Sequence, residues 1–298
     1  MRKKIVSVAI VLLFTCLVVY EGAKAPVSDD KELPNLETVL KEAKEDGYTV
    51  RKSTRYDADD TAKDIHIVLY SEEQEVKSFS FDVMGNQTGY GLIKRDSGGR
   101  IILDIGYNRD NQVSRKRTYE YVGNNVITEH SYHYDYRGYY DDSGEYHTKC
   151  WGIYHEIYSY EYDDQGRKSF MWTGIGEDTT ADVDPGFYTS YFFYDEEGRL
   201  IREEFGEFGE AYIAYVYDGP LLLKEEVYWV ADGANYCASV TEYEYDEEGR
   251  MLKWAEYEED YYSGGAEYEY DEKGRMLKYT QFKGDHKLLQ YWTYEYFD

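Results

Sequence analysis

The chain has 298 residues, enough for one large or two ordinary domains, and its 37 tyrosines far outnumber its 11 phenylalanines. Tyrosine packs a flat apolar ring but keeps a hydroxyl that needs water or a partner, which suits two-sided β-sheets and argues against a helical bundle. The formal net charge of −27 repels phosphate backbones and anionic head groups, and it therefore argues against nucleic acids and lipid surfaces as partners.

Residues 1–25 predict an export signal peptide or an N-terminal membrane anchor. Residues 1–4 are basic, and residues 5–20 form an almost unbroken apolar run that is short for a spanning helix. Three outcomes stay open: cleavage near Ala25, which Pro26 would hinder; a retained anchor; or lipidation of Cys16 in a lipoprotein-like sequence. Each of them places the body of the protein outside the cytoplasm, secreted or held at the cell surface.

Residues 26–47 predict a linker followed by one short helix. Asn35 is suited to the N-cap, and Gly47 stands where a C-terminal cap is expected. The apolar positions recur at helical spacing: Leu36, Val39, Leu40 and Ala43. Because so short a helix is marginal alone, we expect it to cover the first edge of a following sheet.

From residue 48 to 298 the chain repeats one unit: an aromatic residue, any residue, an aromatic residue, Asp, two polar residues, Gly, usually Arg, then an apolar residue. The clearest copies are residues 243–251 (YEYDEEGRM) and 268–276 (YEYDEKGRM). The turn positions of the four best copies are Asp163 and Gly166, Asp195 and Gly198, Asp246 and Gly249, and Asp271 and Gly274. A spacing of 23 to 32 residues is typical of stacked supersecondary units.

Each unit predicts a β-hairpin. Tyr243 and Tyr245 alternate with Glu244 and therefore share one face of a strand. The Asp accepts hydrogen bonds in the turn, and the Gly supplies the left-handed conformation that closes a type I turn with a bulge. Because one hairpin cannot bury its aromatic face alone, we predict an all-β fold: an antiparallel β-hairpin repeat array over residues 48–298, forming a curved or twisted, solenoid-like sheet.

These units resemble the YD repeat of the RHS family of bacterial surface and secreted proteins, Tyr-x-Tyr-Asp-x-x-Gly-Arg-Leu, over roughly residues 79–298. In that family the repeats build a strip-like antiparallel sheet that spirals, and large members close it into a hollow shell around a toxin. This chain departs from the pattern, because the array is short and no toxin domain follows it. These departures argue against a closed shell and leave a curved or twisted open sheet as the expectation. The resemblance also implies carbohydrate binding.

We predict no catalytic, metal or cofactor site. Four histidines lie between residues 130 and 155, but their spacing does not make a tetrahedral ligand set. Structural calcium stays open at two acidic clusters, which are Asp178, Asp182 and Asp184, and Asp57, Asp59, Asp60 and Asp64. Carboxylate pairs are too abundant to indicate a glycosidase, and nucleophile and phosphate-loop motifs are absent from the sequence.

Aromatic residues outside the repeated pairs are the candidates for ligand binding, because flat rings beside carboxylates and hydroxyls suit sugars and proteins. The candidates are Tyr139, Tyr140, Trp151, Tyr154, Trp172, Tyr261 and Tyr262. Outside the cytoplasm, Cys150 and Cys237 could form one disulfide.

The sequence leads to three hypotheses about function. The first is a non-catalytic secreted or cell-surface protein that presents a tyrosine-rich repeat sheet to a glycan or a protein. The second is a structural or interaction protein of the cell envelope related to RHS toxin systems, and the third is an extracellular enzyme acting on polysaccharide. The membrane is a partner only through the N-terminal segment, and the sequence predicts no oligomeric state.

Overall fold

The structure is a computed structural model that describes residues 33–141, 143, 146–180, 188–206, 210–231, 233–259 and 261–297. The predicted signal or anchor, Cys16, and the calcium candidates Asp182 and Asp184 lie outside these residues. In this described part of the chain, none of the helices is long and apolar enough to span a membrane.

The predicted short helix is present as α1 (Leu36–Glu45). The Asn35 side chain caps it by accepting a 2.9 Å hydrogen bond from the backbone N–H of Thr38. Gly47 follows the C-terminus with φ of +76°. The apolar face of α1 packs on the first strands in a small core, whose buried members are Val39, Ala43, Val50, Ile67, Leu69 and Phe81.

The rest of the described chain is antiparallel β-structure, as predicted. The strands are β1 (Thr49–Asp57), β2 (Ala62–Ser71), β3 (Gln74–Asp82), β4 (Gln87–Arg95), β5 (Ile101–Asn108), β6 (Val113–Val122), β7 (Asn125–Tyr140), β8 (Tyr146–Tyr162), β9 (Lys168–Ile175), β10 (Tyr188–Tyr194), β11 (Leu200–Phe205), β12 (Ala211–Asp218), β13 (Leu221–Ala231), β14 (Ala234–Tyr245), β15 (Met251–Glu258), β16 (Tyr261–Tyr270), β17 (Met276–Lys283) and β18 (Lys287–Phe297). Each strand pairs with the next one along the chain.

The sheet closes on itself, which corrects the prediction of an open, solenoid-like array. β18 pairs with β1 over eight residue pairs, from Val50 with Phe297 to Asp57 with Gln290. The fold is therefore an 18-stranded antiparallel up-and-down barrel. The first strand has no free edge for α1 to protect, because the last strand already covers it.

The up-and-down order places alternate turns at opposite ends of the barrel. We call one end the clamp rim; it carries the turns after β2, β4, β6, β8, β10, β12, β14 and β16. The other end, the loop rim, carries the turns after the odd-numbered strands. All the predicted Asp-x-x-Gly turns of the four best repeats lie at the clamp rim, where Gly166, Gly198, Gly249 and Gly274 have positive φ as expected.

The two faces of the sheet differ in composition. The tyrosine face holds the repeated pairs, such as Tyr243 with Tyr245 and Tyr268 with Tyr270, and the helix face is the opposite one, on which α1 lies. Most strand residues on both faces are only half-buried. Because 18 strands enclose more space than side chains can fill, a hydrated barrel accounts for this partial exposure.

Candidate functional site

The repeated motif builds one structural device, which we call the tyrosine clamp. In each clamp, the hydroxyl of the second tyrosine of one repeat donates a hydrogen bond of 2.7–3.0 Å to a backbone carbonyl of the preceding repeat. That carbonyl lies at the start of the strand that follows the preceding clamp-rim turn. The pairs are Tyr121 and Ile101, Tyr162 and Val126, Tyr194 and Lys168, Tyr217 and Leu200, Tyr245 and Leu222, Tyr270 and Met251, and Tyr296 and Met276. The clamps therefore tie neighbouring hairpins together along this rim.

The arginine of the motif strengthens five of these clamps. Its guanidinium lies over the ring of the clamp tyrosine at 4.5–5.2 Å from the centroid, within the range of a cation–π interaction. The pairs are Arg100 and Tyr121, Arg167 and Tyr194, Arg199 and Tyr217, Arg250 and Tyr270, and Arg275 and Tyr296.

The aspartate of the motif holds that arginine in place. Arg275 Nε donates to Asp271 Oδ2 at 2.8 Å, and the backbone N–H of Arg275 donates to Asp271 Oδ1. These hydrogen bonds, the side-chain one first, hold the pKa of Asp271 below its ordinary value. The Asp, Arg and second Tyr side chains of the repeat therefore bind one another and the backbone of the wall.

Three of the predicted binding residues lie together on the hairpin of β7 and β8, which extends beyond its neighbours. Residues 136–140 and 146–150 pair as strands only with each other in the described part of the chain. These five pairs span about 15 Å, and the arm keeps a side-chain contact with the loop rim, since Gln112 Nε2 donates to Thr148 Oγ1 at 3.1 Å. Tyr139 and Tyr140 lie on this arm, and Trp151 is the bulged residue at its base; they are 44%, 72% and 58% exposed.

One face of the arm carries a strip of aromatic and cationic side chains: Arg137, Tyr139, His147, Lys149 and Trp151. Arg137 lies opposite Lys149, and Tyr139 lies opposite His147. The Arg137 guanidinium is 5.8 Å and the Lys149 Nζ is 5.9 Å from the centroid of the Trp151 ring. We call these five residues the arm strip.

Carboxylates hold two side chains of the arm strip in place. Asp135 Oδ2 accepts from Arg137 Nε at 2.9 Å, and Asp141 Oδ2 lies 2.8 Å from His147 Nε2. The arm therefore presents rings beside paired donors and acceptors rather than a strongly charged surface. Such a combination can stack on an apolar ring face and hydrogen-bond to surrounding hydroxyls.

The structure does not bring the other predicted binding residues to this arm. Tyr154 lies lower on β8 and donates to Glu156 at 3.1 Å, and Trp172 is half-buried on β9. Tyr262 is 9% exposed and stacks on His286 with centroids 3.9 Å apart, while its neighbour Tyr261 is 55% exposed. These last two residues lie on β16, at a different part of the loop rim.

Sequence reasoning missed a cleft on the helix face of β13–β15. It has a volume of about 590 Å³, within the range of small-molecule sites. Its lining is Lys224, Cys237, Ala238, Ser239, Val240, Glu242, Tyr257 and Glu259. The sequence signal was the run of small residues at 237–239 inside a strand that otherwise has large side chains.

The structure also locates the predicted cysteines and acidic clusters. Cys150 and Cys237 are free thiols on β8 and β14, so the disulfide considered from the sequence does not form here. Within the described residues, no group of three or more His, Cys, Asp or Glu side chains is arranged to hold a metal ion. Asp57 pairs with Lys63 and Asp64 pairs with Arg55, so their carboxylates are already engaged.

The four histidines between 130 and 155 also separate into distinct contacts. His130 Nδ1 lies 3.1 Å from His155 Nε2, and the other ring nitrogen of His155 contacts Asp178. His155 is buried and stacks on Tyr132 at 4.0 Å, which accounts for it as a structural group. Burial and the neighbouring His155 lower the pKa of His130.

Comparisons with known proteins do not assign the chain to a family. No family model matches it, and no curated protein matches it. A porin-like protein from Bacteroides uniformis ATCC 8492 is 10% identical, with 84% of this chain and 97% of that chain covered and a TM-score of 0.37. Two TcdB2-TccC3 structures are 12% identical; they cover 77% and 78% of this chain and 14% and 15% of theirs, with TM-scores of 0.24 and 0.23. These likenesses are too distant to carry an argument about function.

Proposed function

We propose that this chain is a non-catalytic, extracytoplasmic binding protein that presents the arm strip to a glycan. The observation that carries the proposal is the exposed Trp151 ring flanked by Arg137 and Lys149 on the β7–β8 hairpin. The exposed indole, with cationic side chains beside it, offers a flat apolar surface and hydrogen-bond donors to a partner.

The chemistry of the strip favours a sugar as that partner. The apolar face of a pyranose packs on a flat ring, while its hydroxyls need both donors and acceptors around the ring. Arg137 and Lys149 supply donors, and the Asp135 carboxylate supplies an acceptor in a position fixed by Arg137. Carbohydrate binding, which the YD-repeat resemblance implies, agrees with this arrangement.

Charges on both faces of the sheet argue against contact with lipid hydrocarbon. Glu129 and Glu203 lie on the tyrosine face, and the helix face carries ion pairs such as Lys224 with Glu242 at 3.3 Å. A barrel that crosses a membrane needs an apolar outer band about 25 Å tall. We therefore propose that the barrel works in water outside the cytoplasm, with the N-terminal segment as its route of export or its anchor.

We further propose that the chain is a short YD-repeat array of the RHS type. The support is the repeated clamp, in which the Tyr, Asp, Gly and Arg of the motif have the same partners in successive turns. A chance similarity of turn sequences would not place each arginine over the tyrosine of the next repeat.

A glycan array probed with the purified full chain tests the proposed function. We expect binding to at least one glycan, and we expect Trp151→Ala to weaken it by tenfold or more, which is about 1.4 kcal/mol or greater. Trp229→Ala is the matched control, because Trp229 is also 58% exposed but lies on β13. Absence of any bound glycan, or equal loss in the two variants, would reject the proposal.

A further inference from the structure

The cleft on β13–β15 owes its shape to local irregularities in strand pairing. The register shifts between β13 and β14 at Val227 and Tyr228, which leaves Ala238 as an extra residue opposite them. A second shift follows between β15 and β16 at Glu256 and Tyr257. Ala238, whose side chain is small, and Tyr257 both line the cleft.

The charges of the cleft are unbalanced. The Lys224 ammonium lies 3.3 Å from a carboxylate oxygen of Glu242 and 3.9 Å from one of Glu226, so one cation serves two carboxylates. Glu259 adds another carboxylate to the lining. Burial and the nearby Glu226 raise the pKa of the Cys237 thiol, as expected where the local potential is negative. The net charge of the protein, −27, draws cations towards such a site.

We propose that this cleft binds one residue of an amino sugar whose amine is free and protonated. The Tyr257 ring offers a surface for the sugar ring, and Lys224 offers hydrogen bonds to its hydroxyls. The ammonium of the sugar pairs with Glu242 or Glu259, which hold more negative charge than Lys224 neutralises. The volume of about 590 Å³ accommodates a monosaccharide with room for the attached neighbour. This inference rests on the proposed glycan-binding function and names a second site for it.

The thiol of Cys237 can be used to measure whether the cleft is occupied. Cys237 lines it and is exposed, whereas Cys150 lies on the arm, six strands away around the barrel. A ligand in the cleft should shield the Cys237 thiol from a small alkylating reagent and leave Cys150 unchanged. Peptide mass spectrometry of the alkylated full chain reads both thiols in one digest.

We expect oligomers of glucosamine, at about ten times their Kd, to slow alkylation of Cys237 about tenfold at constant pH. Oligomers of N-acetylglucosamine should give no protection, because acetylation removes the positive charge. An unchanged Cys237 rate overturns the inference. So does equal protection by the acetylated oligomers or by spermidine, and so does protection confined to Cys150.

Variants of the lining residues test whether the protection of Cys237 arises in the cleft. Glu242→Gln and Tyr257→Ala should each weaken the protection, and the double variant Glu242→Gln with Glu259→Gln should abolish it. Glu269→Gln is the matched control, because Glu269 pairs with Lys278 at 3.8 Å on the same face but outside the cleft. If Glu269→Gln has the same effect as Glu242→Gln, the cleft is not the site.

The outcomes separate this inference from the proposed function. If Cys237 is never protected but the glycan array shows binding that depends on Trp151, the proposed function stands and the cleft site falls. If the array is blank and Cys237 is also unprotected, both proposals fall.

Discussion

The turns at the two rims of the barrel differ in length, in sequence and in how they are held. At the clamp rim the turns are short and repetitive, and successive turns are tied by tyrosine hydroxyls and stacked arginines. At the loop rim the connections vary in length and sequence, and large aromatic residues such as Trp151, Tyr188 and Tyr236 are exposed. The contrast indicates that the repeat stabilises one end of the barrel, and the proposed binding function belongs to the other end.

The sharpest test of this contrast uses two tyrosines on the same strand. Tyr270 ends β16 at the clamp rim, and Tyr261 begins it at the loop rim. Tyr270→Ala removes a half-buried ring, its arginine contact and its hydrogen bond, and should lower the free energy of unfolding by about 3 kcal/mol. Tyr261→Ala should change it by less than about 0.5 kcal/mol. Similar losses in urea unfolding for both variants would remove the distinction between the rims.

A second test changes the backbone of a clamp-rim turn. Gly249 has φ of +78°, which a β-branched residue adopts only at a cost, so Gly249→Val should destabilise the protein by about 2 kcal/mol. Gly249→Asn is the control, because asparagine tolerates the left-handed conformation and should cost less. Thermal unfolding measures both variants; equal melting temperatures would show that the turn conformation contributes little.

Alkaline titration gives a third test, since tyrosines near the clamp rim resist ionisation. Burial, with a contribution from Glu129, raises the pKa of Tyr160 to about 12. A raised pKa favours the neutral form in the folded state, so this stabilisation is complete below pH 10 and is lost as pH rises from 10 towards 12. After allowance for screening, the loss is on the order of 1 kcal/mol. Tyr160→Phe should flatten this part of the profile of stability against pH.

The smallest effect is expected at an exposed residue of the loop rim. Trp229 is 58% exposed near the tip of the β13–β14 hairpin, and Trp229→Ala should change the free energy of unfolding by less than about 0.5 kcal/mol. A loss above 2 kcal/mol in chemical unfolding would mean that loop-rim aromatics support the wall.

Local sequence patterns predicted the hairpins but not their closure. Asp-x-x-Gly spacing determines a turn within five residues, and Asn35 and Gly47 mark the helix ends, so both kinds of element were predicted correctly. Closure depends on β18 meeting β1, whose sequences carry no signal of each other. The sequence also did not reveal the number of strands, because the copies of the motif in β1–β5 are degenerate. Arg95, for example, stands where a repeat has its second tyrosine.

The candidate sites divide in the same way. Tyr139, Tyr140 and Trp151 were selected as rings outside the repeat, and the structure shows them on an exposed arm. Their contacts with Arg137 and Lys149 depend on the cross-strand register, which the sequence did not provide. The cleft arises from bulges and small side chains on three strands, so only the short run at 237–239 could have indicated it.

The seam between β1 and β18 has a consequence for how the protein is made. Val50 meets Phe297 only after every intervening strand exists, so closure is a late, long-range step and should be slow. Until then the growing sheet has two unpaired borders, each able to accept a strand from another copy. Intermolecular strand exchange is therefore the characteristic misfolding route of this molecule, and export in an unfolded form would postpone that risk until the last strand is available.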